Sequence, residues 1–236
     1  MKLACASSSF HREIERGELT QLEFLDLCAR ELACDGVVLD VRHFPRSDDD
    51  YLAQVKKMAT DRGLSVAALA DPSFFASAPE RMREVLRCAE ALGAPVVAAP
   101  LEREVSGSWS DQLARLGVAT SLAKTLNVTL AVRNAPETFA AGTHDLKRVA
   151  KEADSAWLRF GPEPETLDAG SDAATLQPNT VLLWSDVGQS GGSIGDTVAA
   201  FAGFLGHVAL DERSGAADAA LAAAALRRWR EVLNRA

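Results

Sequence analysis

The feature that most constrains this chain is a rhythm. Short apolar runs alternate, from one end to the other, with longer stretches whose apolar residues recur at three- and four-residue intervals. Eight runs read as strands: Lys2–Ala6, Gly36–Asp40, Leu64–Leu69, Pro95–Ala99, Val128–Arg133, Ala156–Phe160, Thr180–Trp184 and His207–Leu210. Most are apolar or β-branched throughout, as strands buried on both faces of a parallel sheet require. Between them the spacing predicts helices. Leu19–Leu32 places Leu22, Leu25, Cys28 and Leu32 on one face, with Thr20 and Glu23 forming a capping-box pattern. Asp49–Arg62 stops at Gly63, and Pro79–Leu92 has proline in its first turn and Gly93 after its last. Asp111–Leu126, Thr143–Ala153 and Gly215–Asn234 follow the same logic, whereas Glu163–Leu176 and Asp196–Phe204 leave room for short helices only.

Strand and helix alternating over the whole length imply right-handed βαβ units and a parallel sheet. Eight such units with no linker-like tract point to a single (β/α)8 barrel domain over residues 1–236, near the roughly 250 residues such barrels occupy. The rival, an open doubly wound sheet, needs a G-x-G-x-x-G phosphate turn after the first strand, and Ser7-Ser8-Ser9-Phe10-His11 stands there instead. A hydrophobic content of 47% excludes a disordered chain, and a mean hydropathy of −0.02 excludes a membrane bundle. The net charge of −8 argues against a nucleic-acid partner, which needs a clustered basic face. Cys5, Cys28, Cys34 and Cys88 lack metal-site spacing and read as buried free thiols. Met1-Lys2-Leu3-Ala4-Cys5 opens like a lipoprotein cleavage box, yet only two residues separate Lys2 from Cys5. No window approaches the ~18 apolar residues of a membrane span, so the expected location is the cytoplasm.

In such barrels the site lies at the C-terminal ends of the strands. The polar residues expected there are Ser7 to His11, Asp40, Arg42 and His43, Asp71, Glu102 and Arg103, Arg133 and Asn134, Arg159, Asp186, and Asp211 with Glu212.

Several segments carry a family resemblance. They are Gly17-Glu18-Leu19-Thr20-Gln21-Leu22-Glu23-Phe24-Leu25-Asp26-Leu27-Cys28-Ala29 leading into Asp35-Gly36-Val37-Val38-Leu39, Ala91-Leu92-Gly93-Ala94-Pro95-Val96-Val97, Leu126-Asn127-Val128-Thr129-Leu130-Ala131-Val132, Ser185-Asp186 followed by Gly192-Ser193-Ile194-Gly195-Asp196, and Gly206-His207-Val208-Ala209-Leu210-Asp211. Together these resemble the sugar phosphate isomerase/epimerase proteins of the xylose isomerase-like (AP endonuclease family 2) TIM barrels. The resemblance implies a divalent metal at the mouth, held by a Glu late in strand 5, an acid or His after strand 6, a His in strand 7 and a Glu ending strand 8. On this chain those positions fall on Arg133, the Gly161–Glu163 stretch, Leu183 and Asp211, while an acid of the second strand falls on Val38. Arginine has no lone pair to give a cation and repels one. The expectation is therefore no metal and no other cofactor, unless Asp40, Glu102 or Glu163 rebuild a site by another route.

Inward-pointing Arg133 reads either as an anion receptor or as one half of an ion pair with Asp186 or Asp211. His43 and His11, just past strand ends, read as a proton shuttle and a pocket histidine, or as backbone-bonded loop residues. The glycine-rich run from Asp186 to Asp196 reads as a phosphate-binding loop or a linker. His144 and His207 lie away from the mouth and carry no role.

The expected function is that of a sugar or sugar phosphate isomerase/epimerase-like protein whose metal chemistry is lost or metal-independent. The alternative is a non-catalytic sugar- or anion-binding barrel. Catalytic candidates are Arg133, His43, Asp186 and Asp211; substrate-binding candidates are Asn134, Arg159, Arg42, His11 and Trp184. The expected partner is a small sugar or sugar phosphate, with no nucleic acid and no membrane, in a homodimer. An abasic-site endonuclease would need a multi-metal cluster and a basic face that the chain lacks.

Overall fold

The structure is a computed structural model that describes residues 1–167 and 173–236. Eight parallel strands are present among the described residues: β1 (Lys2–Ala6), β2 (Gly36–Asp40), β3 (Ser65–Ala70), β4 (Val96–Pro100), β5 (Thr129–Arg133), β6 (Leu158–Phe160), β7 (Leu182–Asp186) and β8 (His207–Asp211). They are hydrogen-bonded in the order β6-β5-β4-β3-β2-β1-β8-β7. The remaining seam, β6 to β7, is joined by Val181 N–H on Phe160 O (3.0 Å), Trp184 N–H on Pro162 O (2.9 Å) and a single bridge between Phe160 and Thr180. The result is a nearly closed (β/α)8 TIM barrel.

The helices are α1 (His11–Glu15), α2 (Gln21–Arg30), α3 (Asp49–Asp61), α4 (Pro79–Leu92), α5 (Trp109–Leu126), α6 (Thr143–Ala153), α7 (Gly191–Ala200) and α8 (Ala219–Leu233). Their ends follow local chemistry. Thr20 accepts the Glu23 N–H while Glu23 accepts the Thr20 N–H, completing the capping box. Gly93 closes α4 in the left-handed region at φ 73°.

Several boundaries differ from the sequence reading. The runs beginning at Leu64, Pro95, Val128, Ala156 and Thr180 enter the sheet one or two residues later, because pairing with a neighbour, not hydrophobicity, sets where a strand begins. The Glu163–Leu176 helix is replaced by 3₁₀ turns at Pro164–Thr166 and Ala173–Asn179, and residues 168–172 of that expectation lie outside the described residues. The glycine-rich run is not a linker: Gly191, Gly192 and Gly195 lie in α7, whose N-cap Ser190 accepts the Ser193 N–H. No helix of the described residues is long and apolar enough to cross a membrane.

Strand alternation divides the core into two shells. Leu3, Val37, Leu39, Leu69, Val97, Leu130, Val132, Leu183 and Leu210 face the helices in the large outer cluster. Ala4, Ala6, Val38, Ala68, Val96, Ala98, Ala131, Leu182, Trp184 and Ala209 form a separate inner cluster. The lumen is thus lined mostly by small side chains, and Trp184, 1% exposed, takes up the space they leave. At the opposite end the barrel is tight. A Cβ built on Gly36 would lie 2.6 Å from Ser65 Oγ and 2.8 Å from Ser65 O. Gly36→Ala should therefore destabilise the protein by about 1–3 kcal/mol, the usual cost of overpacking, seen as a lower urea midpoint at unchanged m-value.

Candidate functional site

Arg133 is the last residue of β5 and has the same facing as Ala131 of the inner cluster, so its side chain enters the mouth. Its Nη1 donates to Asp211 Oδ2 (2.6 Å) and its Nη2 to Glu163 Oε2 (2.9 Å). The guanidinium carbon lies over the Trp184 ring, 4.1 Å from its centre, a cation–π contact. Glu163 also accepts from Arg213, through Nε at 3.0 Å and through Nη2. Asp211 accepts from Ser8 Oγ at 2.7 Å.

Glu163 is held in turn by Asn134, whose Oδ1 accepts the Glu163 N–H (2.7 Å) while its Nδ2 donates to Thr166 Oγ1 (2.8 Å). Burial alone would lower the Arg133 pKa. The charges of Asp211 and Glu163, with the hydrogen bonds from both, more than offset it and hold the guanidinium above its ordinary value.

A cavity of about 280 Å³ opens above this cluster, with Ser8, His11, Arg42, Arg133, Trp184 and Arg213 among its walls. Its charges are compensated. Arg133 and Arg213 face Glu163 and Asp211, and Arg42 grips Asp40 through Nε (3.0 Å) and Nη2 (2.6 Å). Glu212 is spent on its own loop, accepting from Ser214 N–H (3.1 Å), Ser214 Oγ (2.7 Å) and Ala216 N–H (2.8 Å).

The histidines reach the site through a third arrangement. His43 is buried behind the wall, where Nδ1 meets Ser7 Oγ and Nε2 meets His11 Nδ1, both at 2.9 Å. His11 opens α1 and lines the cavity. Gly215, at φ 66°, lets the loop after β8 press on it, since a Cβ there would be 2.8 Å from His11 Cβ. Burial pushes the His43 pKa down, His11 and Arg42 push the same way, and Asp40 and Glu15 oppose.

Other expected residues are placed elsewhere. Asp186 does not pair with Arg133: its Oδ1 accepts the Gly188 N–H (2.7 Å), and its charge acts on Arg213. Arg159 turns back to the carbonyls of Ser155 (3.4 Å) and Leu158 (2.8 Å), at the N-terminal end of β6 and away from the mouth. The inward residue of β7 is Trp184; Leu183 packs outward against the helices. Asn134 supports Glu163 behind the cavity wall. Glu102 is bound by Arg115 of α5, and Asp40 by Arg42. Arg213 is a site residue that the sequence reading did not name, although it stands two positions beyond the strand-ending Asp211, and Ser8 was expected there only as part of the Ser7 to His11 run.

These residues do not fit a divalent cation. All four oxygens of Asp211 and Glu163 already accept N–H or O–H hydrogens, and a guanidinium sits between them. Among the described residues no three His, Cys, Asp or Glu side chains converge as metal ligands.

Solved structures of similar shape bear on the fold. A D-psicose 3-epimerase solved in the presence of D-fructose superimposes with a TM-score of 0.74 at 15% identity, over 100% of this chain and 98% of that one. AsbF of Bacillus anthracis, a probable 3-DHS dehydratase involved in petrobactin synthesis, gives 0.77 at 12% identity, with 99% of each chain covered. A xylose isomerase domain protein of Alicyclobacillus acidocaldarius gives 0.77 at 19%, covering 99% of this chain and 98% of that one. The chain thus shares the TIM-barrel fold of these proteins. No protein-family model matches the chain, and no curated protein matches it.

Two expected outcomes arise from the charges. Arg133→Met leaves Glu163 and Asp211 short of their shared cation and should cost about 3 kcal/mol in urea denaturation at neutral pH, the low end for breaking a buried pair because Arg213 and Ser8 remain. Glu165 is the second case. Burial raises its pKa to about 7, although its Oε1 accepts the Asp186 N–H (2.6 Å). A raised carboxyl pKa gives stability that is full below the unfolded value and lost as pH rises through the folded one. Between pH ~4.5 and ~7 the protein should therefore lose about 1–3 kcal/mol that Glu165→Gln retains, measured as the difference between the two urea midpoints across that window.

Proposed function

We propose that this chain is an isomerase/epimerase-like barrel whose mouth binds a neutral sugar, or a similar polyhydroxylated molecule, on a fixed guanidinium rather than on a metal ion. The observation that carries this is Arg133 clamped between Asp211, Glu163 and Trp184 on the cavity floor. Among the described residues two of its N–H groups are used by protein partners; guanidinium offers five in a rigid fork. The free ones suit the lone pairs of hydroxyl or carbonyl oxygens. Charge compensation favours an uncharged ligand, because a phosphate would have to pull a guanidinium away from a buried carboxylate that cannot be left alone. A cavity of about 280 Å³ suits one monosaccharide ring. The sugar-processing neighbours of the same fold support the same ligand class.

A second reading, isomerisation or epimerisation by proton transfer beside a carbonyl, is favoured by one feature. The free N–H groups of Arg133 would stabilise an oxyanion that develops against them. Against a poised base stands the commitment of Asp40, Glu163, Asp211 and Glu212 to hydrogen bonds. Binding is thus the principal reading and turnover the secondary one.

Calorimetric titration in EDTA with D-fructose and with D-fructose 6-phosphate separates the alternatives. The neutral sugar should bind more tightly. Arg133→Lys should weaken it about tenfold, since an ammonium keeps the charge but loses the planar fork. Absence of binding by neutral sugars, or binding only with Mn²⁺ present, would overturn the proposal. Incorporation of deuterium from D₂O into the sugar's C–H positions would establish the catalytic reading.

A further inference from the structure

We infer that Ser7 and His43 together hold His11 as a neutral imidazole with its proton on Nε2, so that this wall of the cavity presents a hydrogen-bond donor to an oxygen lone pair. The ligand's identity rests on the sugar-binding reading above; the tautomer does not.

The hydrogen-bond chain begins at a main-chain amide. Asp40 N–H donates to Ser7 Oγ at 2.9 Å. Ser7 is fully buried, and a buried hydroxyl whose own hydrogen lacks an acceptor carries a desolvation cost. Among the described residues the remaining group in reach of that hydroxyl is His43 Nδ1, at 2.9 Å. The Ser7 hydrogen therefore points to Nδ1, which must be bare, and the His43 proton lies on Nε2. That nitrogen faces His11 Nδ1 at 2.9 Å. Two bare nitrogens would repel there, as would two N–H groups, so His43 donates and His11 accepts. The His11 proton is then on Nε2.

Reversing every bond would strand the Ser7 hydrogen in the interior, which is what fixes the direction. The buried position of His43, which lowers its pKa against the pull of Asp40 and Glu15, keeps that ring uncharged, and the hydrogen bond into His11 Nδ1 leaves His11 its single proton on Nε2. His11 Nε2–H meets Glu15 Oε1 at 3.3 Å, and that carboxylate is 65% exposed. A contact so long and so wet is one that a ligand oxygen can replace.

The roles divide cleanly. His11 is the residue that touches the ligand, while Ser7 and His43 are positioning residues that act through it. A neutral donor also suits a mouth whose charges are already compensated, since it adds a hydrogen bond without adding a cation.

The test is imidazole ¹⁵N NMR on the full chain, whose four histidines are assignable by single substitution. At neutral pH both His43 and His11 should show a protonated Nε2 and a bare Nδ1. His43→Gln keeps an amide donor facing His11 Nδ1 and should leave the His11 pattern in place. His43→Leu should let His11 exchange between tautomers and weaken D-fructose binding about tenfold, with the glutamine variant within about twofold of wild type. A proton on Nδ1 of either ring in the wild-type protein, or an unchanged His11 in a folded His43→Leu variant, would overturn the inference. If the tautomer pattern holds while D-fructose leaves every histidine signal unmoved, the sugar reading fails and the hydrogen-bond chain stands.

Discussion

A single buried guanidinium organises the mouth of this barrel. Taking a charge out of water costs several kcal/mol, and the protein meets that cost for Arg133 from three directions at once: Asp211 from β8, Glu163 from beyond β6, and the indole face of Trp184 from β7. Each carboxylate is itself secured, Asp211 by Ser8 and Glu163 by Arg213 and Asn134. The cluster ties together the ends of strands that lie far apart in the chain. It also decides what the cavity can hold, because oxygens that already accept hydrogens are not free to ligate a cation.

Electroneutrality is the second consequence. The arginines at the cavity wall that carry charge into it have carboxylate partners at hydrogen-bond distance, and the nearby histidines are arranged so that neither needs a charge. Recognition in such a site depends on the direction of hydrogen bonds rather than on net attraction. The side chains that fix those directions, Ser7, Asn134 and His43, stand behind the wall instead of in it.

The eightfold rhythm made the barrel legible, since burial on both faces of a parallel strand leaves a strong signal in Val, Ile, Leu and Ala content. The inward course of Arg133 was a supposition in the sequence, and the facing it shares with Ala131 along β5 bears it out. Its partner Asp211 was legible because it ends a strand that pairs predictably; Glu163 was not, because β6 is only three residues long and fixes no register for the loop beyond it. Leu183 and Trp184 show how fine the margin is: a slip of one residue exchanges the helix-facing and lumen-facing positions. Helix α1 escaped notice because five residues are too few to display a period, yet it carries the histidine that reaches the cavity. Arg159 misled for a different reason, since a long side chain late in a strand can run along the lumen in either direction.

Trp184 has an effect beyond packing. Its indole lies beneath the guanidinium carbon and fills the lumen that the small side chains leave. The indole stands on one side of the guanidinium, so a guest meets it through the N–H groups that Asp211 and Glu163 leave open. A molecule with two adjacent oxygens on one edge satisfies that approach; one that offers its oxygens singly, or on opposite sides, does not. Stereochemistry would thus be read from a plate of carbon that forms no bond with the guest.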